Sequence, residues 1–142
     1  MSLNKILLES PYSEVESMLN LDSLSRVHNE LNIAKPTIFY FMSDEQVLDV
    51  NRESLNHDYY TDVITFDYES DEDIEENEVV ISWDRIQDNS KVLNQALHQE
   101  LHRICIHALL HLAGYTDESV DDQLKMTAAE DRFLNLYCKN YL

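Results

Sequence analysis

The chain has 142 residues, of which 44% are hydrophobic and 27% charged, and its net charge is −18 at pH 7. This length and composition predict a single globular domain spanning residues 1–142 with a substantial core. The charge argues against a broad basic face for nucleic acid, and the longest uncharged apolar stretch, Ile104–Tyr115, is too short to span a membrane.

The cysteines and the first residues indicate the cellular compartment. Cys105 and Cys138 lie far apart and match no cysteine-rich zinc pattern. The segment Met1–Glu16 lacks the cationic and long apolar parts of a secretion signal. These features predict reduced thiols and a cytoplasmic protein with no membrane partner.

The first half of the chain alternates between strand and helix patterns. Apolar residues at helical spacing indicate helices, and β-branched and aromatic runs indicate strands. A capping-box pattern opens one of the helices. The predicted elements are an edge strand at Leu3–Leu8, a helical region at Ser13–Leu31 broken near residues 20–22, a strand at Pro36–Met42 and a helix from Ser43 to about Leu55.

The second half begins with two runs rich in Val, Ile and aromatic residues, Thr61–Tyr68 and Glu78–Trp83, which predict neighbouring strands. Seven of the ten residues in Glu69–Glu78 are acidic, so we predict a solvated loop there, with docking of a basic partner as the alternative. Helices are predicted at about Ser90–Ala113 and Val120–Tyr141, the latter with Leu124 among its packing residues. This order of elements indicates an α+β or α/β layer with a small, mostly parallel mixed sheet of about four strands covered by helices.

A pair of histidines is the most informative pattern. His107 and His111 lie one helical turn apart in Ile104–Ala113, where every other residue is apolar. A helix that is apolar all round is buried, and buried imidazoles need a partner, for which one shared divalent cation suffices. Gly114, the only glycine of the chain, is predicted to end the helix and return Asp117 to the histidines. Two imidazoles and one carboxylate with a fourth position open are typical of a catalytic zinc site on a buried helix.

Other interpretations of this pattern remain open. The two histidines could be hydrogen-bonded core residues, and the same ligand set also occurs in non-haem iron oxygenases. Zinc peptidases of the H-E-x-x-H type need a glutamate after the first histidine, where this chain has Ala108. A metal-bound water could still attack an ester or a phosphodiester. A second pair at the same spacing, His98 and His102, is predicted to be exposed.

Three segments resemble the motifs of one known family. HALLHLAGYTD (His107–Asp117) is similar to H-G-x-L-H-L-x-G-Y-D-H, TDVITF (Thr61–Phe66) to T-D-V-L-S-F, and NEVVIS (Asn77–Ser82) to G-D-I-x-I-S. These are motifs of the YbeY family of bacterial metal-dependent endoribonucleases, also called ribosomal RNA maturation factors. The resemblance covers roughly Pro36 to the C terminus.

The resemblance implies a single-strand-specific endoribonuclease that acts in small-subunit ribosomal RNA maturation and in ribosome quality control. It implies one zinc ion per chain on His107, His111 and Asp117, with Asp117 where the family usually has a histidine. Single-stranded ribosomal RNA is then the expected partner, with ribosomal proteins or other basic proteins as further candidates. The domain as a whole is expected to be a metal-dependent hydrolase.

The resemblance also concerns residues other than the three candidate metal ligands. Met126 and Glu130 match the M-x-x-x-E pattern of the family, and Asp62 is a candidate for a structural hydrogen bond or for a contact to a ligand histidine. The family has an arginine where this chain has Leu55, and we predict that Arg52, one helical turn earlier, binds the substrate instead. Two alternatives are a metal-dependent hydrolase of peptides or small molecules, and a non-catalytic ribosome-assembly factor with a structural metal.

Overall fold

The structure is a computed structural model that describes residues 5–138, in which the chain forms four strands and six α-helices. In chain order these are β1 (Ile6–Glu9), α1 (Ser13–Met18), α2 (Leu21–Glu30), β2 (Thr37–Met42), α3 (Asp44–Leu55), β3 (Val63–Phe66), β4 (Asn77–Ser82), α4 (Trp83–Val92), α5 (Leu97–Leu112), α6 (Val120–Phe133) and a π-helical turn (Leu134–Cys138).

The sheet has the strand order β1-β2-β4-β3. β2 pairs in parallel with both β1 and β4, whereas β3 pairs with β4 in antiparallel orientation. The prediction of a small, mostly parallel mixed sheet in an α+β fold is therefore confirmed. β1 is the predicted edge strand, although residues 3 and 4 of that prediction lie outside the described residues.

Several helix boundaries follow from local signals that the sequence shows. The predicted break near residues 20–22 is confirmed, because α1 ends at Met18 and α2 begins at Leu21. Both hydrogen bonds of the predicted capping box are present: the Ser43 hydroxyl accepts from the Gln46 N–H, and the Gln46 side chain accepts from the Ser43 N–H. The helix that follows ends at Leu55, as predicted.

The prediction of one long helix over Ser90–Ala113 is wrong. Helix α4 begins directly after β4, because the Ser82 side chain accepts a hydrogen bond from the Arg85 N–H and caps a new helix. That helix ends at Val92, and Asn94 adopts a left-handed conformation with φ 53° before α5 begins. The apolar run of β4 continues into Trp83, so the sequence pattern concealed the change from strand to helix.

The prediction for the last helix is only partly correct. α6 ends at Phe133 and a π-helical turn continues to Cys138, and the rest of the predicted helix lies outside the described residues. Met126 and Phe133 are buried, as predicted. Leu124, in contrast, is 65% exposed and does not pack in the core, because it points away from the face of α6 that contacts α5.

The acidic loop between β3 and β4 is exposed but anchored. The Glu69 carboxylate accepts hydrogen bonds from the backbone N–H groups of Ala34 (2.8 Å) and Lys35 (3.0 Å). The Lys35 ammonium in turn donates to backbone carbonyls of the loop, which belong to Tyr68, Asp71 and Ile74. The half-buried Lys35 therefore fixes the loop that carries much of the negative charge.

Helix α5 runs through the main core and positions the candidate site. Leu101, Cys105, Ile106 and Leu109 are fully buried there, which fixes the rotation of the helix about its axis. His107 and His111 lie on the remaining, partly exposed face. The predicted buried helix is thus confirmed, with the histidines at the boundary between core and solvent.

Candidate metal centre

His107 and His111 meet at the surface of α5. Their Nε2 atoms are 3.1 Å apart, and the two rings approach edge to face with centroids separated by 4.6 Å. Residues four apart on a helix share one face, which explains this proximity. Both rings therefore present a nitrogen to the same point in space.

The turn after α5 brings Asp117 to that point. The Gly114 N–H donates to the His111 carbonyl, and the following N–H, of Tyr115, donates to the Leu110 carbonyl, each at 3.0 Å. These bonds close the end of the helix, and the loop then turns back over the histidines. The Asp117 Oδ2 atom lies 3.7 Å from the Nε2 atoms of both His107 and His111.

The single glycine has a specific backbone role. Asn32, Asn56 and Asn94 follow other helices with φ between 53° and 58°, a left-handed region that asparagine tolerates. Gly114 has φ 102°, well beyond that region and accessible chiefly to glycine. The chain thus uses asparagine at three left-handed helix ends and glycine where the turn to Asp117 requires a different angle.

The three candidate ligands fit a divalent cation. One ligand atom from each of His107, His111 and Asp117 can be chosen so that all lie within 4.8 Å of one another. For tetrahedral zinc with bonds of about 2.0–2.1 Å, ligand atoms stand about 3.3 Å apart. The observed separations of 3.1 and 3.7 Å match this closely. The predicted convergence of the three side chains is therefore present in the structure.

Glu130 of α6 holds His107 from the opposite side. Its Oε2 atom lies 2.7 Å from the His107 Nδ1 atom. Burial disfavours the charged ring, but the hydrogen bond and charge of Glu130, with the charges of Asp117 and Asp62, outweigh burial and raise the pKa of His107. With Nδ1–H donating to the carboxylate, a neutral ring keeps its Nε2 lone pair for a cation.

The pairing of His107 with Glu130 is not predicted by the sequence, in which Asp62 is the candidate for a contact to a ligand histidine and Glu130 is only a match to the family pattern. In the structure Glu130 makes the hydrogen bond, whereas Asp62 acts on His107 through its charge. Arg103 keeps Glu130 in place by donating to its Oε1 atom at 2.9 Å. The spacing of 23 residues between His107 and Glu130 carries no local signal.

A cleft of about 400 Å³ opens in front of the ligand set. Its opposite wall is the segment that resembles T-D-V-L-S-F, which leads into β3. That wall consists of Thr61, Asp62, Val63, Thr65 and Asp67. The two matching motifs thus face each other across one cleft, with hydroxyl groups and carboxylates along the rim.

Arg52, the predicted substrate-binding residue, lies in the last turn of α3. Its Nε atom is 2.5 Å from Asp58 Oδ1, and its side chain is half exposed. It is not among the residues that line the cleft. Leu55, one helical turn later, is also exposed. A contact between Arg52 and substrate therefore stays a prediction.

The second histidine pair differs from expectation. His102 was predicted to be exposed, but it is fully buried. Its Nε2 atom accepts from the Asn20 N–H at 3.0 Å, and its Nδ1 atom lies 2.6 Å from the His98 carbonyl. This histidine links the start of α2 to α5 and takes no part in the ligand set.

Comparison with known proteins places this architecture in a family. A sequence profile described as Endoribonuclease YbeY matches residues 11–137. A curated relative named Endoribonuclease YbeY, from Cytophaga hutchinsonii, is 38% identical over 124 residues, which are 87% of this chain and 84% of the relative. The protein of the same name from Phocaeicola vulgatus is 43% identical over 98 residues, covering 69% of this chain and 70% of the relative.

A solved structure shares the fold. The solution structure of TM1509 from Thermotoga maritima superposes with a TM-score of 0.64 at 22% identity, covering 95% of this chain and 93% of that one. Fold and site together define an α+β protein with a two-histidine, one-carboxylate centre at the edge of a buried helix. The chain belongs to the YbeY family. Within residues 5–138, none of the helices combines the length and hydropathy required to cross a lipid bilayer.

Proposed function

We propose that this chain is a metal-dependent endoribonuclease that cuts single-stranded RNA during maturation of small-subunit ribosomal RNA and in ribosome quality control. Its curated relatives carry the name Endoribonuclease YbeY, and the three candidate ligands line a cleft of about 400 Å³. The observation that carries the proposal is the convergence of His107, His111 and Asp117 at the wall of that cleft. We propose one such domain over residues 1–142, acting in the cytoplasm.

We propose zinc as the metal, with one ion per chain. Two imidazole nitrogens and one carboxylate oxygen at tetrahedral separations suit zinc. Bound zinc supplies a Lewis acid and lowers the pKa of a coordinated water to about 7. His107 and His111 supply the nitrogen ligands, and Glu130 fixes the orientation of His107.

The residues of the facing wall position the RNA. The hydroxyl groups of Thr61 and Thr65 line the cleft and can donate hydrogen bonds to phosphate oxygens. We propose that Arg52 assists at a distance from the cut bond, where its pairing with Asp58 is exposed and exchangeable. The acidic surface needs such cationic groups, and a basic ribosomal protein is the partner we propose for the acidic loop.

One alternative is a non-catalytic assembly factor with a structural metal. Structural zinc sites are closed by four protein ligands, whereas catalytic sites keep one position open. Here three ligands face a cleft, and the Asp117 side chain is about half exposed. The structure therefore favours catalysis, and chelation should stop RNA cleavage while circular dichroism still shows a folded chain.

The decisive assay measures cleavage of a labelled single-stranded RNA on a denaturing gel. Wild type should cut the strand, and His111→Ala should reduce the rate at least about a thousandfold, since a site that lacks one of its three ligands no longer holds the metal. His57→Ala, at an exposed histidine outside the site, serves as the matched control. Equal rates for wild type and His111→Ala would contradict the proposal, and peptide hydrolysis without RNA cleavage would favour a metal-dependent hydrolase of peptides or small molecules.

A further inference from the structure

A second hollow lies beside the ligand cleft. It has a volume of about 230 Å³ and lies where α4, α5 and α6 meet. Ile86, Leu93 and Ile104 form its apolar walls, and Asn89 and Glu100 are among its polar groups. Pockets that hold a whole drug-sized molecule measure about 300–1,000 Å³. This hollow is of the size that suits one flat ring system.

Glu100 is the unusual group in this hollow. Glu100 is only 8% exposed. Its carboxylate makes no hydrogen bond to any residue in the described range 5–138. Burial raises the pKa of Glu100. The charge of Arg103 lowers it in part, and the charges of Glu130 and Asp62 raise it further. The Glu100 oxygens are not among the fully buried polar atoms that lack a partner in the described residues, so they face the solvent of the hollow and are open to a ligand that donates hydrogen bonds.

The cationic side chain next to Glu100, that of Arg103, already pairs with two other carboxylates. Arg103 donates to Glu130 Oε1 at 2.9 Å and to Asp131 Oδ1 at 2.7 Å. It therefore leaves Glu100 without a direct partner, although both residues line the hollow. Among the described residues, Glu100 also belongs to no group of three close metal-ligating side chains. The missing partner is thus better supplied by N–H donors than by a coordinated ion.

We propose that this hollow is a nucleobase subsite in which the Glu100 carboxylate accepts two hydrogen bonds from the Watson–Crick edge of a guanine. This inference rests on the proposed function. Guanine is the RNA base that presents two adjacent donors on that edge, N1–H and N2–H2. A carboxylate can accept both in a bidentate arrangement. The apolar walls provide contact surface for the faces of the ring, as apolar side chains do in the pockets of enzymes that bind an unstacked base.

The position of the hollow relates this subsite to the cleft. Asp62 and His107 line both cavities, so they form the partition between the base and the metal centre. A guanosine bound in the hollow therefore brings an adjacent phosphate to the His107 side of the partition. The geometry points to preferential cutting next to guanosine in single-stranded RNA.

Substitution of inosine for guanosine tests this contact, because inosine lacks only the 2-amino group. Two otherwise identical single-stranded RNAs carry one guanosine or one inosine in a strand of A, C and U. Wild type should cut next to guanosine about tenfold faster, the effect of one hydrogen bond to a charged group. In Glu100→Gln the two rates should be equal. Glu53→Gln, at an exposed glutamate of α3, should keep the tenfold difference.

The outcomes separate this inference from the proposed function. Cutting by wild type without a preference for guanosine, or a preference that survives in Glu100→Gln, overturns the subsite and leaves the nuclease intact. A protein that cuts neither RNA contradicts the proposed function. The binding of nucleotides then tests the proposed guanine subsite separately. In that case NMR titration should show guanosine 5′-monophosphate binding more tightly than inosine 5′-monophosphate in wild type but not in Glu100→Gln. Equal binding of both nucleotides by wild type overturns the subsite.

Discussion

Glu130 and His107 are joined by a hydrogen bond of 2.7 Å between Oε2 and Nδ1, across the contact between α6 and α5. The bond connects the candidate metal centre to the core, because Glu130 is itself buried and held by Arg103. It selects the tautomer of His107 that keeps Nε2 free for a cation. Orientation of a ligand histidine by a buried carboxylate is a recurring feature of metal sites.

Loss of this carboxylate should weaken the metal site without removing a ligand. We expect Glu130→Gln to lower zinc affinity about 10- to 100-fold, since the amide is a weaker partner for Nδ1–H and also releases Arg103. Competition with a zinc chelator measures the affinity. Asp131→Asn, which also loses a contact to Arg103, is the control and should keep wild-type affinity. An unchanged affinity in Glu130→Gln would show that the hydrogen bond does not support the site.

The turn at Gly114 should be sensitive to any side chain. A Cβ atom at this position meets no atom within 4 Å, so the cost of Gly114→Ala is confined to the backbone at φ 102°. We expect a loss of about 1–2 kcal/mol in the free energy of unfolding, measured by urea titration. Asn94→Gly, at φ 53°, should change stability by less than about 0.5 kcal/mol. Equal stability of Gly114→Ala and wild type would show that the turn adapts to alanine.

Two buried histidines should make the fold sensitive to mild acid. Burial lowers the pKa of His102 and, against its hydrogen bond to the Lys35 carbonyl, that of His28. Below about pH 6.5 these two side chains therefore bind more protons in the unfolded chain than in the folded one, and their contribution to the free energy of unfolding falls as pH falls. The raised pKa of His107 acts in the opposite direction, so the test compares wild type with a variant. The slope is at most about 1.4 kcal/mol per pH unit for each histidine.

Urea titrations at pH 7.5 and 5.5, with chelator present, measure this slope. His102→Asn should be less stable than wild type at pH 7.5 but should lose less stability between the two pH values. His57→Asn, at an exposed position, should retain the wild-type slope. A His102→Asn variant that loses as much stability as wild type between the two pH values would contradict the assignment of His102 as neutral in the folded state.

Local signals explain what the sequence could predict. The capping box at Ser43, the glycine at position 114 and the four-residue histidine spacing each act over one helical turn, and the structure bears out each of them. The sheet followed from β-branched runs of ordinary strand length. These features need no knowledge of residues distant in the chain.

Long-range contacts explain what the sequence could not predict. The partner of His107 lies 23 residues away on another helix, and that of His102 lies 82 residues away at the start of α2. Helix α4 was missed because its first residue, Trp83, continues the apolar pattern of β4. The hollow around Glu100 exists only where three helices meet, so no sequence motif predicts it.

Elemental analysis of protein purified without added metal tests the central claim most directly. We expect about one zinc per chain in wild type and in the control His57→Ala, and less than a tenth of that in His111→Ala and Asp117→Ala, because each removes one of three ligands. All four proteins should be folded by circular dichroism. Wild-type protein without a stoichiometric divalent metal, or variants that retain it in full, would contradict the assignment of His107, His111 and Asp117 as a metal centre.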